Sequence, residues 1–504
     1  MKQFSVAAGH SVTLDAAAVV LDEGGTAVDA AVAAAMAAMV AEPVLAGLLG
    51  GGFLMVRPPA GGPRCLDFFV QTPRRKRPEG ELDFRAIEAQ FGTATQEFHI
   101  GAGAIATPGV APGLAEAHAR FGRMPLRELV QPALKAAREG LRVTSYQAEL
   151  GRIVAAILTA TPQAEALFCK EGVPLAEGET WANSALADVL ETYALEGPRF
   201  VTEGEVAQAL LALTDQGGHL LPEDLSRYIP RWRDPLTVSR RDATVHLNPA
   251  PALGGALIGF GLDLLPNDWE ATDLASVFAL TSAARRESGL DDDPHSGSAR
   301  LFSEEVRARY LKEFQGLRAS TRGTTHISVI DRHGMGAALT LSNGEGCGLI
   351  ARGTGIMPNN MLGEDDLVPG DWLSWDEDRR LSSMMAPSVV DWRDGRFAMI
   401  GSGGSNRIRT ALVQVLARII DHRARLDAAI EAPRLHVEGM PATLDFEDLA
   451  GEGTREALLR AYPEGRAWPD RSMFFGGVHG AMSCPRNGLS AAGDPRRAGV
   501  GSVR

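Results

Sequence analysis

The sequence predicts a layered α/β protein, on three observations. An alanine-rich segment, 26–41, reads as a helix that is apolar on nearly every face, as a helix sandwiched between other layers would be. Apolar and polar residues begin to alternate after Thr324, in the two-residue rhythm of paired strands. A strand, a glycine turn and a helix then follow one another in "RFAMIGSGGSNRIRTALVQVLARIID" (396–421).

Each element has its own signal. Thr26 can cap the first of these helices, which is interrupted by Asp29 and stopped at Glu42-Pro43. It is too short and too weakly apolar to span a bilayer. "GLLGGGFLMVRPP" and "RCLDFFVQTP" read as a glycine turn feeding a short apolar strand, then a second strand. Residues 108–160 read as successive helices with prolines and glycines at their ends. Residues 180–290 read as mostly helical, with an extended interlude at "PLTVSRRDATVHLNPAPALGG". The polar composition of 287–323 predicts exposed, mobile chain around one short helix.

Beyond Thr324, Ile327 and Val329 alternate with Ser328, and "DRHG" (331–334) makes a turn. Met335, Ala337, Leu339 and Leu341 then alternate against Thr340 and Ser342. A hairpin folded about 332–333 sets Thr324 opposite roughly Leu341, with Thr340 and Ser342 beside it and the register open by one or two positions. Further on, Ile408, Leu412, Val415 and Ile419 recur at helical spacing. The N–H groups at the preceding glycine turn suit a negative charge.

Composition narrows the function. The 504 residues exceed the size of one core, so two or more domains or subdomains are expected. A net charge of −13 disfavours nucleic acid as a partner. Cys65, Cys169, Cys347 and Cys484 are scattered without C-x-x-C spacing, which predicts neither a disulfide framework nor a zinc site. No metal or other cofactor is expected. The opening "MKQFSVAAGHSVTLD" lacks a long apolar run, so the expectation is a cytoplasmic protein with no membrane partner.

The chemistry centres on "RGTTHIS". Alone, Gly-Thr-Thr entering a strand is a commonplace loop junction. If the chain is cut before Thr324, however, the freed α-amino group, with a pKa near 8, becomes the base that a threonine hydroxyl needs. Gly323 suits a cut because it puts no side chain beside the carbonyl to be attacked. The oxyanion so formed needs two fixed N–H donors. The turn 401–404 offers them, although such a turn is more often a plain tight turn or a phosphate cradle. "SSMMAP" (382–387) taken alone is a polar loop. His326 reads as structural, on the ground that neighbouring strand residues face opposite ways.

The segments "GGTAVDAAVAAAMAAMVAEP", "IATPGVAPGLAEAHARFGRMPLRELVQPALKAAREG", "GTTHISVIDRHGMGAALTLSN", "GTGIMPNN", "RRLSSMMAPS", "GSGGSNRIRTALVQVL" and "AAGDPRRAG" come in an order that resembles the γ-glutamyltranspeptidase family over almost the whole chain. The resemblance implies an N-terminal-nucleophile hydrolase, an αββα sandwich made as one precursor. It implies autocatalytic cleavage into a large subunit (1–323) and a small subunit (324–504). By position, Thr324 is similar to the nucleophile, and Ser342, or Thr340, to the second hydroxyl that bonds it. Gly403 and Gly404, or Gly404 and Ser405, match the oxyanion-hole residues. Ser382 and Ser383 match serines that contact the substrate α-carboxylate. Asn343 and Glu364 (or Asp365) fall near further polar contacts to the substrate.

There are departures too. "LDFFVQTP" puts Phe69 where the resemblance leads one to expect an arginine gripping the glutamate α-carboxylate, and Met361 stands where a polar residue is common. Arg74, Arg75 and Arg77 lie close in sequence, but a basic run is usually a solvated face. The implied activity is transfer of a γ-glutamyl group from a glutathione-like compound to water or an amine, with hydrolysis favoured. The alternatives are an acylase of the same fold acting on glutaryl or other acyl amides, and a non-catalytic homologue.

Overall fold

Strand alternation decides how this chain layers itself. The computed structural model describes residues 3–91, 94–303, 305–306, 324–364, 367–368, 372–438 and 442–504. Its two large sheets use, in chain order, β1 (Ser5–Ala8), β2 (Gly51–Arg57), β3 (Arg64–Phe68), β4 (Arg231–Arg233), β5 (Leu236–Arg240), β6 (Ala243–Leu247), β7 (Thr325–Ile330), β8 (Gly336–Ser342), β9 (Ser388–Trp392), β10 (Phe397–Gly403), β11 (Gly477–Cys484), β12 (Gly488–Ala492) and β13 (Val500–Val503). The first sheet has seven strands in the order β4-β3-β2-β8-β7-β1-β13, and the second has six in the order β5-β6-β9-β10-β11-β12. Every pairing in both is antiparallel.

The two faces of the first sheet enter different cores. Leu54, Leu66, Ile327, Val329, Leu339 and Leu341 join the core built on the helices α1 (Ser11–Asp22) and α2 (Ala27–Ala41). Phe53, Met55, Ile330 and Ala338 join the other core, with strands of the second sheet and the helices α3 (Leu253–Leu264), α4 (Ala271–Glu287) and α5 (Arg407–Ile420). The result is helix, sheet, sheet, helix, the αββα sandwich expected. Strands from both sides of Thr324 share each sheet and interleave in the first, and both cores mix residues from the two sides, so neither segment has a core of its own.

α2 is buried along its whole length, and Asp29 is no blemish in it. Its carboxylate closes a capping box with Thr26 and also accepts from the N–H groups of Arg123 and Met124 at 3.0 and 3.4 Å. The hairpin turn is fastened to the same helix end, where the Ala27 N–H donates to Asp331 at 3.0 Å.

In the hairpin Thr325 pairs with Leu341, so Thr324 lies level with Ser342, one position from the expected Leu341. Another expectation needs correcting further upstream. The described part of 287–323 holds the one short helix expected, Pro294–Leu301, but it is anchored rather than loose: Leu290 and Leu301 are fully buried and Phe302 meets Phe260 edge-on at 6.2 Å, while 304 and 307–323 lie outside the described residues. Apolar residues spaced among the aspartates do the anchoring, and Arg285 clamps Asp291 at 2.8 Å. The sequence reading also passed over the hairpin of Arg85–Phe91 and Ala94–Ile100 and the C-terminal strands. No described helix is long and apolar enough to cross a membrane.

The sheets meet at a polar seam. His326 engages Thr340 through Nδ1 at 2.7 Å and Ser328 through Nε2 at 2.9 Å, and the Ser328 hydroxyl donates to the His479 carbonyl at 3.2 Å. His326 is structural, as expected, but for another reason: two residues along a strand, it shares the face of Thr324, and its ring is spent on the seam. Burial, then the neighbouring His479, hold its pKa well below the ordinary value. Gly401 packs against this imidazole, and a Cβ there would overlap the ring. Gly401→Ala is therefore expected to destabilise the fold by about 1–3 kcal/mol, read as a lowered urea midpoint; an unchanged midpoint would mean that the seam is loosely packed.

Candidate active site

Thr324 and Thr325 point to opposite faces of the first sheet, and this divides their roles. Thr325 turns to the helix layer, where its hydroxyl donates to Glu42 Oε1 at 2.9 Å and Thr13 donates to Oε2 at 3.4 Å. Thr324 lines a cleft of about 360 Å³ between the sheets.

Around Thr324 the cleft is lined by Ser342, Ser383, Ser405 and Glu364 on the polar side. Phe69, Met361, Leu367, Met384, Met385 and Ile408 form the apolar side. Ser342 is held beside Thr324 by the register, and its hydroxyl accepts from the Gly344 N–H at 3.0 Å. Thr340, the alternative second hydroxyl, is committed to His326. Ser383 accepts from the Met385 N–H at 3.1 Å, while Ser382 stands just outside the lining.

Gly403 ends β10 directly behind Thr324, and a Cβ on it would collide with the Thr324 carbonyl oxygen. Gly404 and Ser405 then take positive φ values, 123° and 49°, before α5 begins. Such a turn aims main-chain N–H groups to one side, the geometry of an anion site. Position 403 therefore demands glycine for close approach, and 404 for conformation.

Paired asparagines present Met361 and Glu364. Asn359 accepts from the Ala106 and Met361 N–H groups at 3.1 Å, and Asn360 accepts from Glu345 and Gly346 at 3.0 and 3.2 Å. Asn343 is not brought into the cleft; its amide donates to the Met357 carbonyl at 3.0 Å and packs against Gly47. Gly323 and Asp365 lie outside the described residues.

Phe69 is buried in the cleft wall and stacks on Phe53 with centroids 5.5 Å apart. The buried Asp67 sets its main chain by accepting from the Phe69 N–H at 3.1 Å and from Arg233 at 2.8 Å. Among the described lining residues no side chain is basic. The neighbouring cations are engaged elsewhere: Arg380 with the carbonyls of Phe69 and Ile229, Arg74 with Asp378, and Arg77 with Gly218. The basic run 74–77 is thus partly structural rather than a solvated face.

Sequence reasoning missed Leu367, Met384 and Met385 as lining, and Glu42 and Arg497 behind the site. Only the apolar pair in "SSMMAP" carried a local signal, since a buried wall needs apolar residues where a polar loop does not. Glu42 and Arg497 belong to the site through tertiary contacts alone.

An αββα sandwich with a threonine at the head of β7, a second hydroxyl beside it and a glycine turn behind it has the fold of the N-terminal-nucleophile hydrolases. The family model described as Gamma-glutamyltranspeptidase matches residues 14–503, and the chain belongs to that family. It is 30% identical to the glutathione hydrolase proenzyme of Escherichia coli (strain K12), covering 98% of this chain and 90% of that one. It is 32% identical to the Acylase ACY 1 proenzyme of Pseudomonas sp. (strain V22), covering 90% and 86%. The solved cephalosporin acylase of Bacillus halodurans shares its fold, with a TM-score of 0.84 at 23% identity over 99% of this chain and 96% of that one.

Burial raises the Glu42 pKa from 4.5 to about 7, against the pull of the Thr325 and Thr13 hydroxyls and of Arg497. A carboxyl raised in the folded state contributes stability that is complete below about pH 4.5 and lost as pH rises through 7. Glu42→Gln removes this dependence. Between pH 5 and 8 the variant should gain on the parent by up to about 3 kcal/mol, measured by urea unfolding at each pH; a constant difference would rule out a shifted Glu42.

Proposed function

We propose that the chain cuts itself between Gly323 and Thr324 and then works as an amide hydrolase through an acyl-enzyme on Thr324. The observation that carries this reading is the placement of Thr324 in the cleft, level with Ser342 and backed by the Gly403–Gly404 turn. Membership of a family whose relatives include proenzymes supports it. The freed α-amino group takes the hydroxyl proton as Thr324 Oγ attacks the substrate carbonyl. The N–H groups of the 403–404 turn, or of 404–405, receive the oxyanion. The amine leaves with that proton, and water or a second amine takes the acyl group from the ester.

Two fragments, 1–323 and 324–504, are expected on a denaturing gel, the smaller beginning at Thr324. Thr324→Ala should give a single band. A parent that stays single, or a variant that still splits, would contradict self-processing and favour a non-catalytic role.

Substrate class follows from the wall opposite the nucleophile. The γ-glutamyl reading draws on the family and on Glu364 and Ser383, which could meet an α-amino and an α-carboxylate group. Phe69, Met361 and the absence of a basic side chain among the described lining residues favour the second reading, an acyl group with no α-carboxylate to be gripped. We therefore expect weak hydrolysis of γ-glutamyl-p-nitroanilide and faster turnover of glutaryl or apolar acyl anilides. Phe69→Arg should lower KM for the γ-glutamyl anilide about tenfold or more, the effect of one charge-assisted hydrogen bond. An unchanged KM would mean that the carboxylate is bound elsewhere.

A further inference from the structure

The segment "AAGDPRRAG" brings two arginines to the core, and they do different things. Arg496 is absorbed by structure, bonding Glu447 at 2.5 Å and Asp494 at 3.2 Å in a fully buried cluster that also holds Arg434. Among the described residues Arg497 belongs to no such ion-pair cluster. It is buried, and Nη1 donates to the Thr324 carbonyl at 3.4 Å while Nη2 donates to the Met473 carbonyl at 3.4 Å. The Tyr146 phenol lies near enough to feel its charge. Its guanidinium lies against both Gly403 and Gly404, where added Cβ atoms would come within 3.2 and 3.1 Å of Nη1 and Nη2. One side chain therefore touches the main chain of the candidate nucleophile and the turn that faces it.

We propose that Arg497 is a positioning residue that fixes Thr324 against the 403–404 turn and, as a buried cation beside it, keeps the freed α-amino group neutral at working pH. This rests on the proposed function, in which that amine is the base. Because it reaches the carbonyl of the same residue at 3.4 Å, the guanidinium lies within about 7 Å of the Thr324 nitrogen. A unit charge at that range, partly screened, disfavours ammonium by about one pH unit. Most of the other groups facing this corner oppose it weakly or not at all. Glu42 is a carboxyl that burial holds partly protonated near pH 7, and Tyr146 is a phenol pushed up by burial. His479 and His326 are held neutral by burial, and Asp494 is consumed by Arg434 and Arg496. Glu364 lines the cleft and acts in the opposite sense, favouring the protonated amine.

The test compares the acid limb of kcat/KM in processed parent, Arg497→Gln and Arg497→Lys, on whichever of γ-glutamyl- or glutaryl-p-nitroanilide turns over faster. Periodate supplies a second readout independent of turnover, because it cleaves an N-terminal threonine only when the amine is unprotonated, and the mass loss can be followed against pH. Arg497→Gln should move both limbs up by about one unit, a loss of roughly tenfold below the limb. Arg497→Lys should keep them within about 0.3 unit while kcat falls, since the cation stays but the fork is lost. Limbs unmoved in both variants, or moved equally, would overturn the inference. If the glutamine variant fails to process and the lysine variant does not, the charge requirement stands; failure of both would reduce Arg497 to packing. A parent fragment that does not begin at Thr324 would instead overturn the proposed function, and the inference with it.

Discussion

The two-residue alternation of β7 is the constraint on which the rest depends. It sends Thr324, His326 and Ser328 toward the second sheet and Thr325, Ile327 and Val329 toward α2. A slip of one residue would exchange these sets. The nucleophile candidate would face a helix, and isoleucine and valine would fill the polar seam. Register is fixed from both sides: Ile327 and Val329 are buried among apolar side chains, and His326 is held by Thr340 and Ser328. Asp331, accepting from His333, Met335 and Ala27, locks the turn between the two strands.

Around that hairpin most of the buried charge holds loops in place. Asp67 secures the Phe69 main chain, Asp494 and Glu447 secure the C-terminal turn through Arg434 and Arg496, and Asp29 joins α2 to the 121–124 loop. Each carboxylate is answered by a cation or by several N–H groups, as buried charge requires. Removing one partner from such a set leaves an uncompensated charge, so these residues constrain the site although none of them lines it.

How much of this could be read from the sequence varies by physical cause. The Ala-rich helix, the hairpin and the 397–420 strand–turn–helix were legible because their periodicities are local. Thr324 and Ser342 were legible to within one position, since a turn fixes a hairpin register only approximately until the faces are known. Phe69 was singled out as a departure, and it stands in the cleft wall. The packing of 290–302 was hidden because a few apolar anchors sat within a polar composition. Glu42 and Arg497 could not be found by spacing, since they meet the hairpin from 282 residues before Thr324 and 173 residues after it. Asn343 shows the converse, a residue next to the site in sequence whose amide serves a neighbouring loop.

A covalent acyl-enzyme on Thr324, as proposed, is tested most directly by the intact mass of the small fragment. Enzyme mixed with a turning-over acyl anilide and quenched in acid within milliseconds should show the fragment heavier by one acyl group, with the adduct mapping to the peptide that begins at Thr324. Steady turnover with no adduct on that peptide, or with the acyl group on another residue, would contradict the account.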